Sequence, residues 1–252
     1  MVRSAKLRAI VLRSVDYGER DRVVTLLSRE RGKLSAFARG ARASRRRFGG
    51  TLEPFNLLAA ELRERTGADT WILENAAVER AFGAIRGDLA RIACAGYAGE
   101  LAGELVRDAE PHEDLFDLLV AYLARLDEAP ARPWDLRGYE LGALRATGLM
   151  PRLDGCARCG GPASPGAMRF DPAHGGVLCQ ACRAFGSPAS RELPGDTLAG
   201  LRRLQRGEEE APPPARVAAE ARDLLTAYLE HHLGRRLKAR RFLDEVGPLL
   251  GG

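Results

Sequence analysis

Lysine is nearly absent from this sequence of 252 residues: three lysines stand beside 36 arginines. Aromatic side chains amount to 6% of the chain, so a protein built on rows of stacking rings is not expected. No apolar run is long enough to cross a bilayer, and the first residues hold no apolar segment of the secretory kind. Cysteine is scarce too. Of the five, four fall in two CxxC pairs, which suits a metal site in a reducing compartment better than disulfides. These absences describe a soluble cytoplasmic protein. Acidic residues are sparse in one place in particular. Residues 1–48 hold four Asp/Glu against 14 Lys/Arg, a net charge of +10, while the remainder is net −5. A solvated basic face is the ordinary reading of a charge run. Here the basic residues alternate with small and β-forming ones in one terminal segment, which favours a polyanion, nucleic acid first.

The stretch 17–55 organises the chain. Two β-type runs, 22–28 and 33–38, flank a turn at 29–32, and a Gly/Ala/Ser segment carrying Arg39, Arg42, Arg45, Arg46 and Arg47 follows. Small residues let a backbone approach a partner closely, and guanidinium groups present forked donors shaped for phosphate. An opening strand over 6–13 and two later ones over 55–63 and 70–77, joined by a turn at Gly67, bring the strand count to five. That pattern fits a small closed barrel of the OB type, and an SH3-like barrel nearly as well.

From residue 83 the period becomes helical: 88–107, 113–127 and 133–147 read as helices, and another covers 216–233. The first is thin, with Gly96, Gly99 and Gly103. Each such glycine costs about 1 kcal/mol against alanine, so close approach by a neighbouring helix is the expected compensation. Cys94 reads as a buried core thiol. Beyond a Glu/Pro linker at 207–215 and the last helix, a basic run of Arg235, Arg236, Lys238, Arg240 and Arg241 ends the ordered part. The expected class is α+β: a barrel over 1–82, a helical domain over 83–150 and 193–252, and a cysteine module inserted at 151–192.

Cys156 and Cys159 form one CxxC, Cys179 and Cys182 the other, with 19 residues between the pairs. This is the spacing of a four-cysteine zinc site. Four thiolates complete zinc's tetrahedron and leave no position for water or substrate, so one structural Zn²⁺ is expected and His174 stays outside the shell. Such an ion contributes on the order of 10 kcal/mol to the local fold. Residues 160–178 otherwise read as a Pro/Gly/Ala loop with no shape of its own, and Gly160 falls where the chain must turn after the second ligand. A redox dithiol pair is the alternative.

The opening strand with Tyr17, Gly18, Glu19 and Asp21 carries a wider resemblance. So do VTLLSRERGKLSAFARGARASRRRFGGTLEPF (24–55), YELGALRATGLMPRLDGCARCG (139–160), the second CxxC and LGRRLKARRFLDE (233–245). Together they resemble the RecO family of bacterial recombination and repair mediators, over almost the whole chain. That resemblance implies an N-terminal OB-fold β-barrel, a helical domain and an inserted zinc module. It implies binding to single- and double-stranded DNA, annealing of complementary strands, and work with RecR to load RecA onto strands coated by single-stranded DNA-binding protein (SSB). It further implies a helical domain that receives the acidic SSB tail, with Arg125, Arg132 and Arg137 as candidates for its carboxylate, and no bond-making activity. Some members lack the cysteines, so the ion would support the fold rather than the activity.

A mediator of this kind must hold strands without reading them, through phosphate contacts and stacking. Tyr17, Phe37, Phe48 and Phe55 are the few N-terminal rings ahead of Trp71, so binding is expected to lean on charge. Arg39, Arg42, Arg45, Arg46 and Arg47 form the expected contact loop, extended by Arg20, Arg22, Arg29, Arg31 and Lys33. The run Arg235–Arg241 is either a second contact or a set of cations suited to a helix C-terminus. A zinc-containing RNA-binding protein of translation or RNA processing would share the basic barrel and the quartet. A nuclease needs carboxylates gathered around a metal, and Asp16, Glu19, Asp21 and Glu30 make no such pattern.

Overall fold

Alternation decides the first part of the chain. In β1 (Ser4–Tyr17) Leu7, Ala9 and Val11 point inward, and in β3 (Gly32–Ala38) Leu34, Ala36 and Ala38 do so, the period of two of a half-buried strand. The computed structural model describes residues 4–44, 48–65, 70–163, 168–208 and 211–247. Arg45, Arg46 and Arg47 of the expected contact loop, and the expected turn at Gly67, lie outside the described residues. The chain divides into two compact units, Met1–Pro130 and Ala131–Gly252.

In the first unit β2 (Asp21–Ser28) pairs antiparallel with β1 and β3, and β4 (Leu57–Arg63) with β1 and β5 (Trp71–Arg80). A short parallel pairing, Ala36 with Trp71 and Phe37 with Ile72, closes the barrel in the order β1-β2-β3-β5-β4. This is the OB arrangement, which strand spacing alone did not separate from an SH3-like one. Ala9, Ala36, Ala38 and Ala60 are small enough to let Leu26, Leu58, Leu62 and Leu73 fill so narrow an interior. β4 begins two residues later than expected because Phe55 adopts a left-handed φ of 72° and donates its N–H to Val11 O at 2.8 Å.

Helices α1 (Leu89–Leu105) and α2 (Glu113–Glu128) belong to the same unit. Asp88 caps α1 by accepting from Arg91 N at 2.8 Å, satisfying one of the donors a helix start leaves open. The glycines of α1 do not face a helix as expected. The register of β1 slips between Val11 and Arg13, a bulge that re-aims Leu12. A Cβ at Gly103 or Gly99 would lie 3.1 or 3.6 Å from the Leu12 side chain. Cys94 is buried, as read. The segment between the helices is bound to the β2–β3 turn: Ala109 N donates to Lys33 O at 2.8 Å, and a Cβ at Gly32 (φ +65°) would stand 1.9 Å from Glu110 O.

The second unit packs α3 (Pro133–Ala146), α4 (Gly195–Arg206), α5 (Ala215–Leu233) and α6 (Lys238–Val246) with a small sheet. Helix α6 carries Lys238, Arg240 and Arg241 of the basic run that was expected to end the ordered part, with Arg235 and Arg236 in the connection before it. The described parts of 160–178 are not a shapeless loop either. β6 (Met168–Asp171) is central to a three-stranded antiparallel sheet, between β7 (Gly176–Leu178) and β8 (Arg191–Leu193). Phe170 of β6 meets Tyr228 of α5 with ring centroids 5.5 Å apart, and Arg202 of α4 donates to Leu153 O at 2.8 Å. These contacts attach the cysteine module to the helices. No helix among the described residues is long and apolar enough to cross a membrane.

Candidate nucleic-acid interface and metal centre

Backbone hydrogen bonds gather part of the expected contact set. Arg42 N donates to Arg20 O at 3.0 Å, Arg42 Nη1 to Gly18 O at 2.9 Å and Gly40 N to Asp21 Oδ1 at 2.7 Å. They lace the β1–β2 turn to the segment after β3, so Arg20, Arg39 and Arg42 share one end of the barrel, all exposed. Arg22, half-buried beside them, is held by Asp16 at 3.1 Å and Glu53 at 3.2 Å, and Asp16 is shared with Arg42 at 3.3 Å.

Other members of the set are engaged elsewhere. Arg29 pairs with Glu113 and Asp117 of α2 at 2.8 and 3.1 Å, and these carboxylates raise its pKa, the Asp117 hydrogen bond foremost. Lys33 Nζ donates to Gly103 O at 2.8 Å and lies 3.1 Å from Asp108. Arg31 stands over the Trp71 ring, 5.2 Å from its centroid. Phe48, one of the rings considered for stacking, is buried in the barrel core.

At and just before α6 the run also separates by geometry. Arg235 and Lys238 are exposed. Arg236 pairs with Asp244 at 2.6 Å and Arg241 with Glu245 at 3.2 Å. Arg240 is corrected: it is buried, donating to Asp244 at 2.9 Å and to Thr226 Oγ1 at 2.8 Å. A guanidinium committed inward cannot reach a phosphate outside.

The four cysteines converge. The Sγ atoms of Cys156, Cys159, Cys179 and Cys182 all lie within 4.8 Å of one another, and those of Cys159 and Cys179 are 3.7 Å apart. Zinc bound at about 2.3 Å to four tetrahedral sulfurs places them about 3.8 Å from each other, so the cluster could hold such an ion. Each CxxC closes a turn: Gly160 N donates to Cys156 O and Cys182 N to Cys179 O, both at 2.9 Å. Gly160, where the chain was expected to turn, has a left-handed φ of 75°. Burial pushes the Cys156 thiol up, but the backbone N–H groups of Cys159, Cys179 and Arg158 outweigh it and bring the pKa down to about 6. Burial, then the neighbouring thiols, push Cys182 up to about 12. His174 is outside the cluster, with Nδ1 3.0 Å from Asp171 Oδ2.

Asp171 was not foreseen. It is fully buried and accepts from Ser187 N at 2.6 Å, Ser187 Oγ at 2.7 Å and Ala173 N at 2.9 Å. It thereby ties the β6–β7 turn to the loop after the second CxxC. An aspartate followed by Pro172 and two glycines is the signature of such a turn, and was the available signal.

The second unit also contains a cleft of about 590 Å³, lined by Trp134, Arg137, Pro213, Arg222 and Leu243 among others. Arg137 is buried and pairs with Glu140 at 3.0 Å through Nη2, while its Nε and Nη1 and the Trp134 Nε1 find no hydrogen-bond partner among the described residues. Buried donors left unmade are costly, and these belong to two residues of the cleft lining. Of the three arginines proposed for a carboxylate, Arg137 alone is among the lining residues.

Comparison with known proteins gives the same answer along the entire chain. The family described as Recombination protein O N terminal matches residues 1–82, and Recombination protein O C terminal matches 86–241. The sequence is 66% identical over 251 residues to the DNA repair protein RecO of Anaeromyxobacter dehalogenans, covering 98% of each chain. It is 52% identical over 242 residues to that of Myxococcus xanthus, covering 95% of this chain and 96% of the relative. Identity to the DNA repair protein RecO of Geobacter sulfurreducens is 40% over 245 residues, 96% and 98% of the two chains. An OB-type barrel ahead of a cysteine-bearing helical unit, matched in both parts, makes this chain a member of the RecO family of DNA repair proteins.

Proposed function

We propose that this protein is a recombinational repair mediator without bond-making activity of its own. It holds single- and double-stranded DNA regardless of sequence, anneals complementary strands and, with RecR, helps load RecA onto SSB-coated single strands. The observation that carries the reading is the laced pair of segments at one end of the barrel, which joins Arg42 to Arg20, with Arg39 three positions before Arg42. Arg45, Arg46 and Arg47 follow directly in sequence. Guanidinium groups on short, small-residue loops can follow a sugar-phosphate chain without reading bases. Arg235, Lys238 and Arg241 are a second set of exposed cations, useful to a protein that must keep two strands together.

One Zn²⁺ held by Cys156, Cys159, Cys179 and Cys182 has a structural role in this reading. The four thiolates fill its shell, and the ion stiffens two knuckles that would otherwise lack a core. The cleft beside Arg137 is the proposed seat of the SSB tail, an acidic peptide ending in an apolar residue and a carboxylate. The apolar lining accommodates the side chain, and the unpartnered guanidinium and indole donors suit the carboxylate.

The test is annealing of SSB-coated oligonucleotides by the whole protein, with and without RecR, together with salt titrations of single-strand binding. Five phosphate contacts give a log–log salt slope of about −3.5. Replacing Arg39, Arg42 and Arg45–Arg47 by alanine should weaken binding and flatten that slope. Unchanged affinity and slope would remove this end of the barrel from the site, and no annealing by the wild type would remove the function.

A further inference from the structure

Strands β1 to β3 turn one face outward, and their register sets what stands on it. Val15 is opposite Val23, and Val23 is opposite Phe37; one rung along, Arg13 faces Thr25 and Thr25 faces Ser35. Residues directly opposite share a face, so an apolar row lies beside a polar one. Tyr17, two positions beyond Val15, is on the same side of the sheet. Its ring meets that of Phe37 edge-on, with centroids 5.4 Å apart and planes at 80°. Tyr17 is 60% and Val15 41% exposed. A ring this exposed adds little to the barrel core, yet the perpendicular contact holds it in one place while more than half of it stays open to solvent.

We infer that Tyr17, braced by Phe37, is a stacking platform for unpaired bases, with the flanking phosphates held by cations at its rim. The inference rests on the DNA-binding reading above and adds to it a preference for unpaired strands. A duplex keeps its base faces covered, so only an unstacked strand gains from the ring.

Charge selects this occupant over a protein surface. Residues 13–48 hold eleven Lys/Arg against four Asp/Glu. Three of those acids have structural work: Asp16 is shared by Arg22 and Arg42, Asp21 receives Gly40 N, and Glu30 receives Arg8 N. Glu19 is the fourth. Arg13, on the polar row of the same face, is exposed and has no side-chain partner among the described residues. It is a rim cation that the loop arginines had overshadowed.

The experiment compares labelled (dT)20 with a 20-mer duplex, titrated with the full-length protein and its Tyr17→Ala and Tyr17→Phe variants. Stacking of one base is worth about tenfold in affinity. Tyr17→Ala should therefore lose about tenfold on (dT)20 with little change on the duplex and an unchanged salt slope, and Tyr17→Phe should bind as wild type does. Phe37→Leu, which keeps an apolar side chain but removes the bracing ring, should weaken (dT)20 binding in the same selective way. A Tyr17→Ala variant that binds (dT)20 within a factor of two of wild type overturns the platform while leaving the DNA-binding reading intact. Equal losses on both substrates with a shallower slope would also overturn it, making Tyr17 a positioner of cations. So would intact DNA binding combined with the loss of a dimer or of RecR association, which would make the patch a protein contact. Failure of the wild type to bind any oligonucleotide would take down the functional reading itself.

Discussion

Replacing Asp171 by asparagine tests whether the cysteine module is held by its hydrogen bonds as well as by its ligands. The carboxylate is fully buried. Burial alone would raise its pKa, but the Ser187 N–H and hydroxyl, His174 and Ala173 N–H outweigh it and hold the carboxyl at about 2. An unperturbed aspartate titrates near 3.9, so a displacement of about two units favours the folded state by roughly 2–3 kcal/mol. Because the folded pKa is the depressed one, this contribution is complete above pH ~4 and disappears as pH falls from about 4 to about 2. Asparagine keeps the shape but turns one acceptor into a donor against the donors that converge on it. The expected cost at pH 7 is about 2–4 kcal/mol, confined to the second unit. Urea titration should show it as an earlier transition, and hydrogen exchange as lost protection across β6, β7 and the 183–190 loop. The difference from wild type should shrink through the stated pH window. A variant with the wild-type urea midpoint and unchanged exchange at pH 7 would refute the assignment of Asp171 as a tie.

Three further outcomes are expected. The purified protein should release about one zinc per chain to a chromophoric chelator, with deprotection of amides in 152–182 and little change in the barrel; no metal, or uniform unfolding, would contradict a local structural ion. Gly176→Ala should destabilise the second unit by at least about 2 kcal/mol, since a Cβ there would stand 2.2 Å from Arg152 O at a φ of +153°; a thermal melt measures it. Arg240→Ala should cost roughly 1.5–3 kcal/mol through its lost charged hydrogen bonds yet leave affinity for single-stranded DNA unchanged, whereas an alanine at Arg42 should do the reverse.

Periodicity carried the barrel well. Strands of alternating Leu, Val and Ala announce one buried face each, and the quartet's spacing announces a shared centre. The small sheet was invisible for a physical reason: β6, β7 and β8 are four, three and three residues long, too short for a period of two to register. Helix α6 was obscured because Arg240 breaks the expected polarity, a buried cation where an apolar residue would have signalled a stripe. The arginines proposed as contacts were legible as a charge run only. Which of them point to solvent depends on carboxylates far along the chain, such as Glu113 and Asp117 for Arg29, and no local pattern encodes that pairing. Leu12 is similar, since the α1 glycines call for a close neighbour without saying which element supplies it.

The acids that α2 and its flanking segment lend to the barrel bear on how the molecule can be dissected. Arg29, Lys33 and Arg80 are satisfied by Glu113, Asp117, Asp108, Asp127 and Glu128, all downstream of residue 82. A truncation at the end of the barrel would strip five negative charges from beside three cations and uncover the greasy flank around Leu12. The resulting piece would cling to any polyanion more avidly than its parent does, so an impressive binding constant from such a fragment would measure the amputation.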